Sequence, residues 1–201
     1  MGACMSTEDF SAVVLVPPAT PITAVDSKFV TLTPLSLNIR HNDWVNTGEY
    51  TIKDVITGVA YFTVEGFFFT AVDRKTLKDV SGGNIATVET PPFGFGRRDV
   101  YTTDAHGNSA RLLYSFEVTN IFGSTDLSCQ MKDQVTGQTH TFTCLGSVGS
   151  WNLVIFCDGK PVAKYRSDWE LGGDRYLVDI APGVDIAMIV LFCVGIQEAS
   201  E

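Results

Sequence analysis

Residues 184–196 read VDIAMIVLFCVGI, and they decide the fold because Asp185 is followed by eleven residues without a charged or strongly polar side chain. A surface helix shows a polar face at a period of 3.6 residues, so a helix here must be surrounded by apolar neighbours. The run is shorter than the roughly 20 residues of a membrane span. Pro182 and Asp185 suit a helix start. The pattern predicts a core helix over residues 184–197; the alternative is a buried β-strand.

The chain between residues 50 and 166 repeats one pattern five times: an apolar run, an acidic residue, a glycine within five residues, and a second apolar run. Asp and Gly tolerate the left-handed conformations that tight hairpin turns require. The pattern therefore predicts five β-hairpins, or ten strands. Their turns are expected at residues 54–58, 79–83, 104–108, 133–137 and 158–159.

Apolar and polar side chains alternate in two of these segments, which predicts strands with one buried face. The apolar positions are Leu112, Tyr114, Phe116, Val118, Leu127, Cys129 and Met131. Further strands near residues 32–39 and 176–180 bring the count to about twelve, too many for an open twisted sheet of modest size. We therefore predict a mainly β fold: a closed antiparallel barrel of about twelve strands, whose wide interior is filled by the hydrophobic C-terminal helix.

Four segments together carry a resemblance to a known family. They are YTIKDVITGVAYFTVEG (50–66), LKDVSGGNIATVE (77–89), FCDGKPVAKYR (156–166) and YLVDIAPGVDIAMIVLFCVGI (176–196). Their order and spacing resemble the LURP-one-related family of the tubby C-terminal-like superfamily, which also includes the phospholipid scramblases. The resemblance covers about residues 35–196. It implies a twelve-stranded barrel threaded by a buried C-terminal helix, in agreement with the residue patterns.

The resemblance implies less about activity. Plant relatives are associated with pathogen defence, tubby relatives bind phosphoinositides, and scramblase relatives act on membrane lipids. The fold alone does not choose among these roles. No basic headgroup pocket and no calcium-ligand segment of these relatives can be aligned onto this chain, so no site residue is transferred from them.

Acidic residues outnumber basic ones, and the formal net charge is −9. Nucleic-acid phosphates require a clustered basic footprint, so we expect no nucleic-acid partner. The length and the 45% hydrophobic content suit one barrel domain, which we place at residues 29–201. Residues 1–28 contain several prolines and either extend as a tether or pack along the barrel.

Cysteine and histidine residues follow no spacing typical of a metal or catalytic site. The five cysteines include no C-x-x-C pair and no zinc-type Cys/His spacing, so we expect no metal and no cofactor. Cys129 and Cys144 lie symmetrically about a point between residues 136 and 137; they either face each other across the hairpin or stay reduced and buried. His41, His106 and His140 are scattered, and no nucleophile motif accompanies them. We therefore expect that the protein is not an enzyme.

The first six residues, MGACMS, match the M-G-x-x-x-S/T pattern of N-myristoylation at Gly2. Cys4 is a candidate for a second acyl chain, which stable anchoring requires because one myristoyl chain binds membranes only marginally. The alternative is a chance match to a short motif. The motif predicts a cytoplasmic protein, anchored to the cytoplasmic face of the plasma membrane when it is acylated. No transmembrane span is expected.

The apolar loop PPFGFG, residues 91–96, precedes two arginines. In one interpretation Phe93 and Phe95 dip into a membrane interface while Arg97 and Arg98 meet an anionic headgroup; in the other, both phenylalanines turn inward. We expect a non-enzymatic, membrane-associated adaptor that binds phosphoinositide or other lipid, or a protein partner, in signalling or in defence and stress responses. The alternatives are a scramblase-like lipid-handling protein and a barrel that binds a small apolar ligand.

Overall fold

The architecture is that of a computed structural model, which describes residues 7–41, 49–67, 73–104, 106–121, 124–147, 152–167 and 175–199. Within these ranges, twelve β-strands form one closed antiparallel barrel, and a 13-residue helix follows the last strand. The predicted fold class is confirmed.

Each strand pairs with its neighbours along the chain, and β1 pairs with β12 to close the barrel. The helices are α1 (Thr7–Ala12) and α2 (Ile186–Glu198), with a short 3-10 helix at Ser27–Phe29. The strands are β1 (Leu35–His41), β2 (Tyr50–Asp54), β3 (Ala60–Phe67), β4 (Asp73–Asp79), β5 (Asn84–Thr90), β6 (Arg97–Thr103), β7 (Ser109–Ile121), β8 (Ser124–Lys132), β9 (Thr139–Ser147), β10 (Asn152–Cys157), β11 (Lys160–Ser167) and β12 (Arg175–Ile180).

The five predicted hairpins are the pairs β2/β3, β4/β5, β6/β7, β8/β9 and β10/β11, and each turns at its Asp-containing segment. The first turn illustrates the chemistry. The Asp54 carboxylate accepts hydrogen bonds from the N–H groups of Ile56 and Thr57, both at 2.7 Å. Gly58 follows at φ 70°, a backbone conformation that glycine adopts without strain. The aspartate and the glycine therefore specify the turn together.

The alternation predicted for β7 is wrong at one position. Leu112 is exposed, whereas Leu113 and Tyr114 are both buried. The register between β6 and β7 shifts after Val100, and an irregularity of this kind changes the face to which the following side chains point. The inner face of β7 therefore begins with Leu113.

Helix α2 occupies the interior of the barrel, and its residues 186–197 are all buried. Asp185 is the N-cap, because its carboxylate accepts hydrogen bonds from the Ala187 and Met188 N–H groups at 3.0 and 3.4 Å. The Phe192 ring lies 5.0–6.0 Å from three wall rings, those of Tyr114, Phe116 and Phe142. The predicted core helix is confirmed, and the strand alternative is wrong.

Antiparallel pairing places successive connections at alternate ends of the barrel. We call the end that carries the five hairpin turns and residues 181–185 the turn end, because α2 enters the barrel there. The opposite end, which we call the loop end, carries residues 91–96 between β5 and β6. It also carries the C-terminus of α2 at Glu198.

The N-terminal arm, residues 7–30, packs on the barrel, and its second half crosses the turn end. The second oxygen of the Asp185 carboxylate accepts hydrogen bonds from the N–H groups of Ala24, Val25 and Asp26 at 3.0, 2.7 and 3.3 Å. Ile22 forms a parallel β-bridge with Val184. One buried carboxylate therefore ties the arm to the first turn of α2.

The first half of the arm lies along the outer wall of the barrel. The Val16 N–H donates to the Pro161 carbonyl at 2.8 Å, near the turn end of β11. Further along β11, the Lys164 ammonium donates to the Val13 carbonyl at 3.2 Å and lies 4.7 Å from the centre of the Phe10 ring. Because β11 runs from the turn end to the loop end, the arm runs toward the loop end as its residue numbers fall.

The predicted symmetry of Cys129 and Cys144 is wrong. Cys129 lies opposite Phe142, and the β8/β9 turn closes between Asp133 and Gln138, with its centre one residue before the predicted point. The two cysteines are consequently out of register, and both thiols are free and buried.

Candidate functional site

Residues 91–96, which we call the aromatic loop, consist of two consecutive tight turns. The Gly94 N–H donates to the Pro91 carbonyl at 2.9 Å, and the Arg97 N–H donates to the Gly94 carbonyl at 2.7 Å. Each bond joins residues three apart, the spacing that defines a β-turn. The loop therefore has a backbone conformation of its own at the loop end of the barrel.

Gly96 anchors the aromatic loop to β7. Its carbonyl accepts a hydrogen bond from the Val118 N–H at 3.0 Å. The residue has φ 91°, and a Cβ added there would lie 2.3 Å from the Val118 carbonyl oxygen. Only glycine allows this approach, so the loop is held close to the wall at its base.

Phe93 and Phe95 point into solvent, with 91% and 90% of their surface exposed. Their φ angles are 65° and 36°, and each such conformation costs about 1–2 kcal/mol for a residue that carries a Cβ. The interpretation in which both rings turn inward is wrong. Two large apolar side chains, both exposed and both in an unfavourable backbone conformation, mark a candidate contact surface.

The two arginines that follow the loop have different surroundings. Arg97 is half exposed, and its guanidinium donates to the Asp99 carboxylate at 2.9 Å and to the Ser115 hydroxyl at 3.3 Å. The hydrogen bond and the charge of Asp99 raise the pKa of Arg97. Arg98 is buried. The structure therefore brings Phe93, Phe95 and Arg97 together at the surface and separates Arg98 from them.

Arg98 takes part in an ionic cluster around the end of α2. Its guanidinium donates to one oxygen of the Glu198 carboxylate at 3.0 Å and to the Gly96 carbonyl at 2.9 Å. The Lys75 ammonium pairs with the other oxygen of Glu198, and all three side chains are about nine-tenths buried. Burial and the charge of Glu198 raise the pKa of nearby Asp73. Two wall cations thus meet the negative end of the helix dipole and the last acidic residue of α2.

Sequence reasoning assigned Arg98 to headgroup binding and did not identify its partners. Glu198 lies 100 residues away in the chain and Lys75 lies in another hairpin, so no local pattern links them. The other two predicted site residues, Gly2 and Cys4, lie outside the described residues, and their acylation stays a prediction.

Comparison with known proteins agrees with the fold. The model of the family described as LURP-one-related matches residues 35–197. An X-ray structure of a protein from Arabidopsis thaliana aligns with a TM-score of 0.65 and 23% identity, covering 89% of this chain and 99% of that one. At this identity the likeness concerns the fold alone. Curated proteins gave no significant match.

Among the described residues, no helix is long and apolar enough to cross a membrane. The family match covers four-fifths of the chain, from the first barrel strand through the central helix. The protein belongs to the LURP-one-related family.

Proposed function

We propose that the protein is a non-enzymatic adaptor that contacts a membrane with the loop end of its barrel. The observation that carries this proposal is the pair of rings at Phe93 and Phe95, which are nine-tenths exposed on turns with positive φ. Full burial of one such side chain contributes about 1.5–3 kcal/mol. Two rings that enter the bilayer interface together therefore supply a substantial part of a reversible membrane affinity.

Charge contributes less to this binding than the apolar rings. The formal net charge of −9 opposes approach to an anionic leaflet. Arg97 lies at the base of the aromatic loop but already pairs with Asp99, and Arg98 is committed to Glu198. We therefore expect no marked preference for anionic over neutral membranes, with phosphoinositide recognition limited to a contact of Arg97 with a headgroup phosphate.

The direction of the N-terminal arm supports a second membrane contact on the same side. From Val16 to Phe10 the arm runs along β11 toward the loop end. The six residues before Thr7 reach at most about 20 Å. An acyl chain on Gly2 or Cys4 would therefore be able to enter the bilayer that the aromatic loop contacts. Together, two weak attachments give the stable anchoring that a single acyl chain lacks.

The alternative functions have less support. A scramblase-like role needs a lipid path or an exposed α2, whereas residues 186–197 of α2 are buried inside the barrel. A role in binding a small apolar ligand needs interior space, and Phe192 packs there against three rings of the wall. In the adaptor role, the outer wall of the barrel is the surface that would bind a protein partner in signalling or in a defence or stress response.

Vesicle binding by the non-acylated protein tests the aromatic loop. The double variant Phe93→Asn/Phe95→Asn keeps a residue type that tolerates positive φ but removes both rings. We expect it to reduce co-sedimentation with phosphatidylcholine/phosphatidylserine vesicles at least tenfold, and Arg97→Gln to reduce it about twofold. Ile56→Asn is the matched control, because Ile56 is 89% exposed in a hairpin turn at the turn end. Equal binding by the double variant and wild type would show that the loop is not the contact.

The acylation motif is tested separately in eukaryotic cells by the intact mass and membrane partitioning of wild type, Gly2→Ala and Cys4→Ser. Acyl mass on the wild type, together with a shift of both variants to the soluble fraction, would support a tethered barrel. An unmodified wild type that still partitions through Phe93 and Phe95 would leave the loop as the anchor. An unmodified, non-partitioning wild type would contradict the membrane role.

A further inference from the structure

A cluster of three ligand-type side chains lies at the turn end, away from the aromatic loop. Cys157 ends β10 and Asp158 begins the turn to β11. Cys157 pairs with Phe142 in β9, so His140 lies two residues further along the same inner face of that strand. The His140 Nδ1, the Cys157 Sγ and one Asp158 carboxylate oxygen all lie within 4.8 Å of one another.

Two of the three separations within the cluster can be compared with those of ligands that share one metal ion. His140 Nδ1 and Asp158 Oδ2 are 2.7 Å apart, and Cys157 Sγ and the same Oδ2 are 3.7 Å apart. Bonds of about 2.0–2.3 Å from a tetrahedral Zn²⁺ to N, O and S ligands place these atoms roughly 3.3–3.7 Å apart. A widening of the His140–Asp158 contact by about 0.6 Å would therefore admit the ion.

The carboxylate of Asp158 is already oriented for this role. Its Oδ1 accepts a hydrogen bond from the Thr141 N–H at 2.9 Å, and the Asp158 N–H donates to the Thr141 carbonyl at 2.8 Å. Oδ2 is thereby directed to His140 and Cys157. Fixation of a ligand by an outer hydrogen bond is a common feature of metal sites. The positive φ of Asp158, 49°, is a further constraint that the turn imposes on this residue.

The cluster has an opening to solvent. It lines a cavity of about 120 Å³ that the N-terminal arm covers at residues 18–20 and 22, and Gln138 and Lys160 also line it. The side chain of His140 is 6% exposed, whereas that of Asp158 is 47% exposed. A cavity of this size accommodates an ion and a water molecule beside the three side chains. Three protein ligands and one open position are typical of catalytic or exchangeable zinc sites.

We propose that His140, Cys157 and Asp158 bind one Zn²⁺ ion, with a water molecule in the cavity as the fourth ligand. A soft thiolate together with an imidazole and a carboxylate selects Zn²⁺ over Mg²⁺ and Ca²⁺, which prefer oxygen ligands alone. Binding releases the thiol proton to solvent, and His140 binds the ion through Nδ1 with its ring proton on Nε2. The sequence spacing did not predict this site because its ligands come from the neighbouring strands β9 and β10 and from the turn that follows β10, rather than from one Cys/His motif.

Among the three side chains, the Cys157 thiol is the one that loses a proton when the metal binds. Zn²⁺ binds a cysteine as the thiolate, whereas a free thiol is mostly protonated at neutral pH. Binding of the ion must therefore release about one proton, and the affinity must rise with pH. If the three side chains only hydrogen-bonded to one another and bound no ion, added zinc would release no proton.

The test uses the full chain after removal of metal with a chelator. We expect Co²⁺, a spectroscopic substitute for Zn²⁺, to give a thiolate-to-cobalt charge-transfer band at one equivalent, which Zn²⁺ abolishes and which Mg²⁺ and Ca²⁺ do not produce. Zinc calorimetry in two buffers of different ionisation enthalpy should show release of about one proton. Absence of the charge-transfer band in the wild type would overturn the proposal.

Variants identify the ligands. Cys157→Ser should remove the charge-transfer band, and Asp158→Asn, which tolerates the positive φ, should weaken Zn²⁺ binding at least tenfold. Cys144→Ser is the matched control, since Cys144 is also buried, its thiol donates to the Thr125 carbonyl, and it is not one of the three clustered side chains; it should leave metal binding unchanged. A band that persists in folded Cys157→Ser would assign the metal to another cysteine and overturn the site. If Cys157→Ser does not fold, an unchanged affinity in Asp158→Asn overturns it instead.

Discussion

The two ends of the barrel differ in the partners of their buried charges and in the exposure of their apolar side chains. At the turn end, buried carboxylates are surrounded by backbone N–H groups: Asp185 accepts from five of them, and Asp133 accepts from Thr23, Val135 and Thr136. At the loop end, the buried charges pair with one another, and the aromatic loop leaves Phe93 and Phe95 exposed.

Because of this difference, we expect the buried carboxylates of the turn end to contribute stability and the aromatic loop of the loop end to contribute binding. At the turn end, the arm and the short turns hold the buried carboxylates of Asp133 and Asp185 by hydrogen bonds. The loop end exposes the two rings for which we propose a membrane contact. Substitutions of the buried carboxylates at the turn end should therefore lower stability, whereas those in the aromatic loop should alter binding and leave stability unchanged.

The largest expected effect is that of Asp185→Ala. This change leaves the N–H groups of Ala24, Val25 and Asp26, and those of the first turn of α2, without their acceptor. We expect a loss of about 3 kcal/mol or more in the free energy of unfolding, which corresponds to a fall of about 6–12 °C in melting temperature. Thermal unfolding by circular dichroism measures it. Asp79→Ala, which alters an exposed hairpin turn, is the control and should cost much less. Equal losses would show that the buried Asp185 carboxylate contributes no more stability than an exposed turn aspartate.

Glu198→Ala should have the second largest effect, because it leaves Lys75 and Arg98 nearly buried without their shared carboxylate. We expect a loss of about 2 kcal/mol, since removal of one partner from a buried ion pair strands the other. Chemical denaturation of Glu198→Ala and Glu198→Gln gives the measurement; the amide keeps an acceptor and should recover part of the loss. Unchanged stability in Glu198→Ala would mean that the wall cations reach solvent instead.

Asp133→Asn tests the charge of a carboxylate at the turn end. Burial raises the pKa of Asp133, but the N–H groups of Thr136, Thr23 and Val135 outweigh it and hold the pKa below its usual value. A lowered folded-state pKa contributes stability that is complete above the unfolded pKa of about 3.9 and is lost as the pH falls through the folded value. We expect wild type to exceed the variant by about 1 kcal/mol at pH 6.

That gap should close as the pH falls below the unfolded value of about 3.9 and through the lower folded value, because protonated Asp133 loses the same charge that Asn lacks. Melting temperatures of both proteins across this range measure it. A gap that stays constant with pH would indicate that size or geometry, rather than charge, makes the difference.

The smallest expected stability effect is that of Phe93→Asn/Phe95→Asn. The rings are nearly fully exposed, so little buried area is lost, and Asn adopts positive φ more readily than Phe. The free energy of unfolding should change by less than about 0.5 kcal/mol or increase slightly, while vesicle binding falls. A loss above about 1 kcal/mol in urea unfolding would show that the loop supports the fold and would remove the contrast between the two ends.

The sequence predicted best what local chemistry decides. The hairpins were identified because an aspartate and a following glycine specify a turn within five residues, as Asp54 and Gly58 do. The core helix was identified because an all-apolar run has no face for water. Together with two further strands expected near residues 32–39 and 176–180, these two patterns led to the number of strands, the closure of the barrel and the content of its interior.

What the sequence did not predict depends on contacts between distant segments. The apolar character of Phe93 and Phe95 did not indicate their orientation, which the Gly96–Val118 contact at the base of the loop constrains. Arg98 was grouped with Arg97 because they are adjacent, although its partner lies 100 residues away. A turn centre displaced by one residue was enough to move Cys129 out of register with Cys144.

The position of α2 inside the barrel has a consequence for biosynthesis. The helix follows all twelve strands in the chain, so a ribosome completes the wall before it makes the segment that fills it. Until then, the inner faces of the strands have no helix to pack against. The barrel also cannot close until β12 has been made, because β12 is the strand that pairs with β1. Folding of this domain must therefore finish after the helix has left the exit tunnel, and the nascent strands are a natural substrate for chaperones that bind exposed apolar segments.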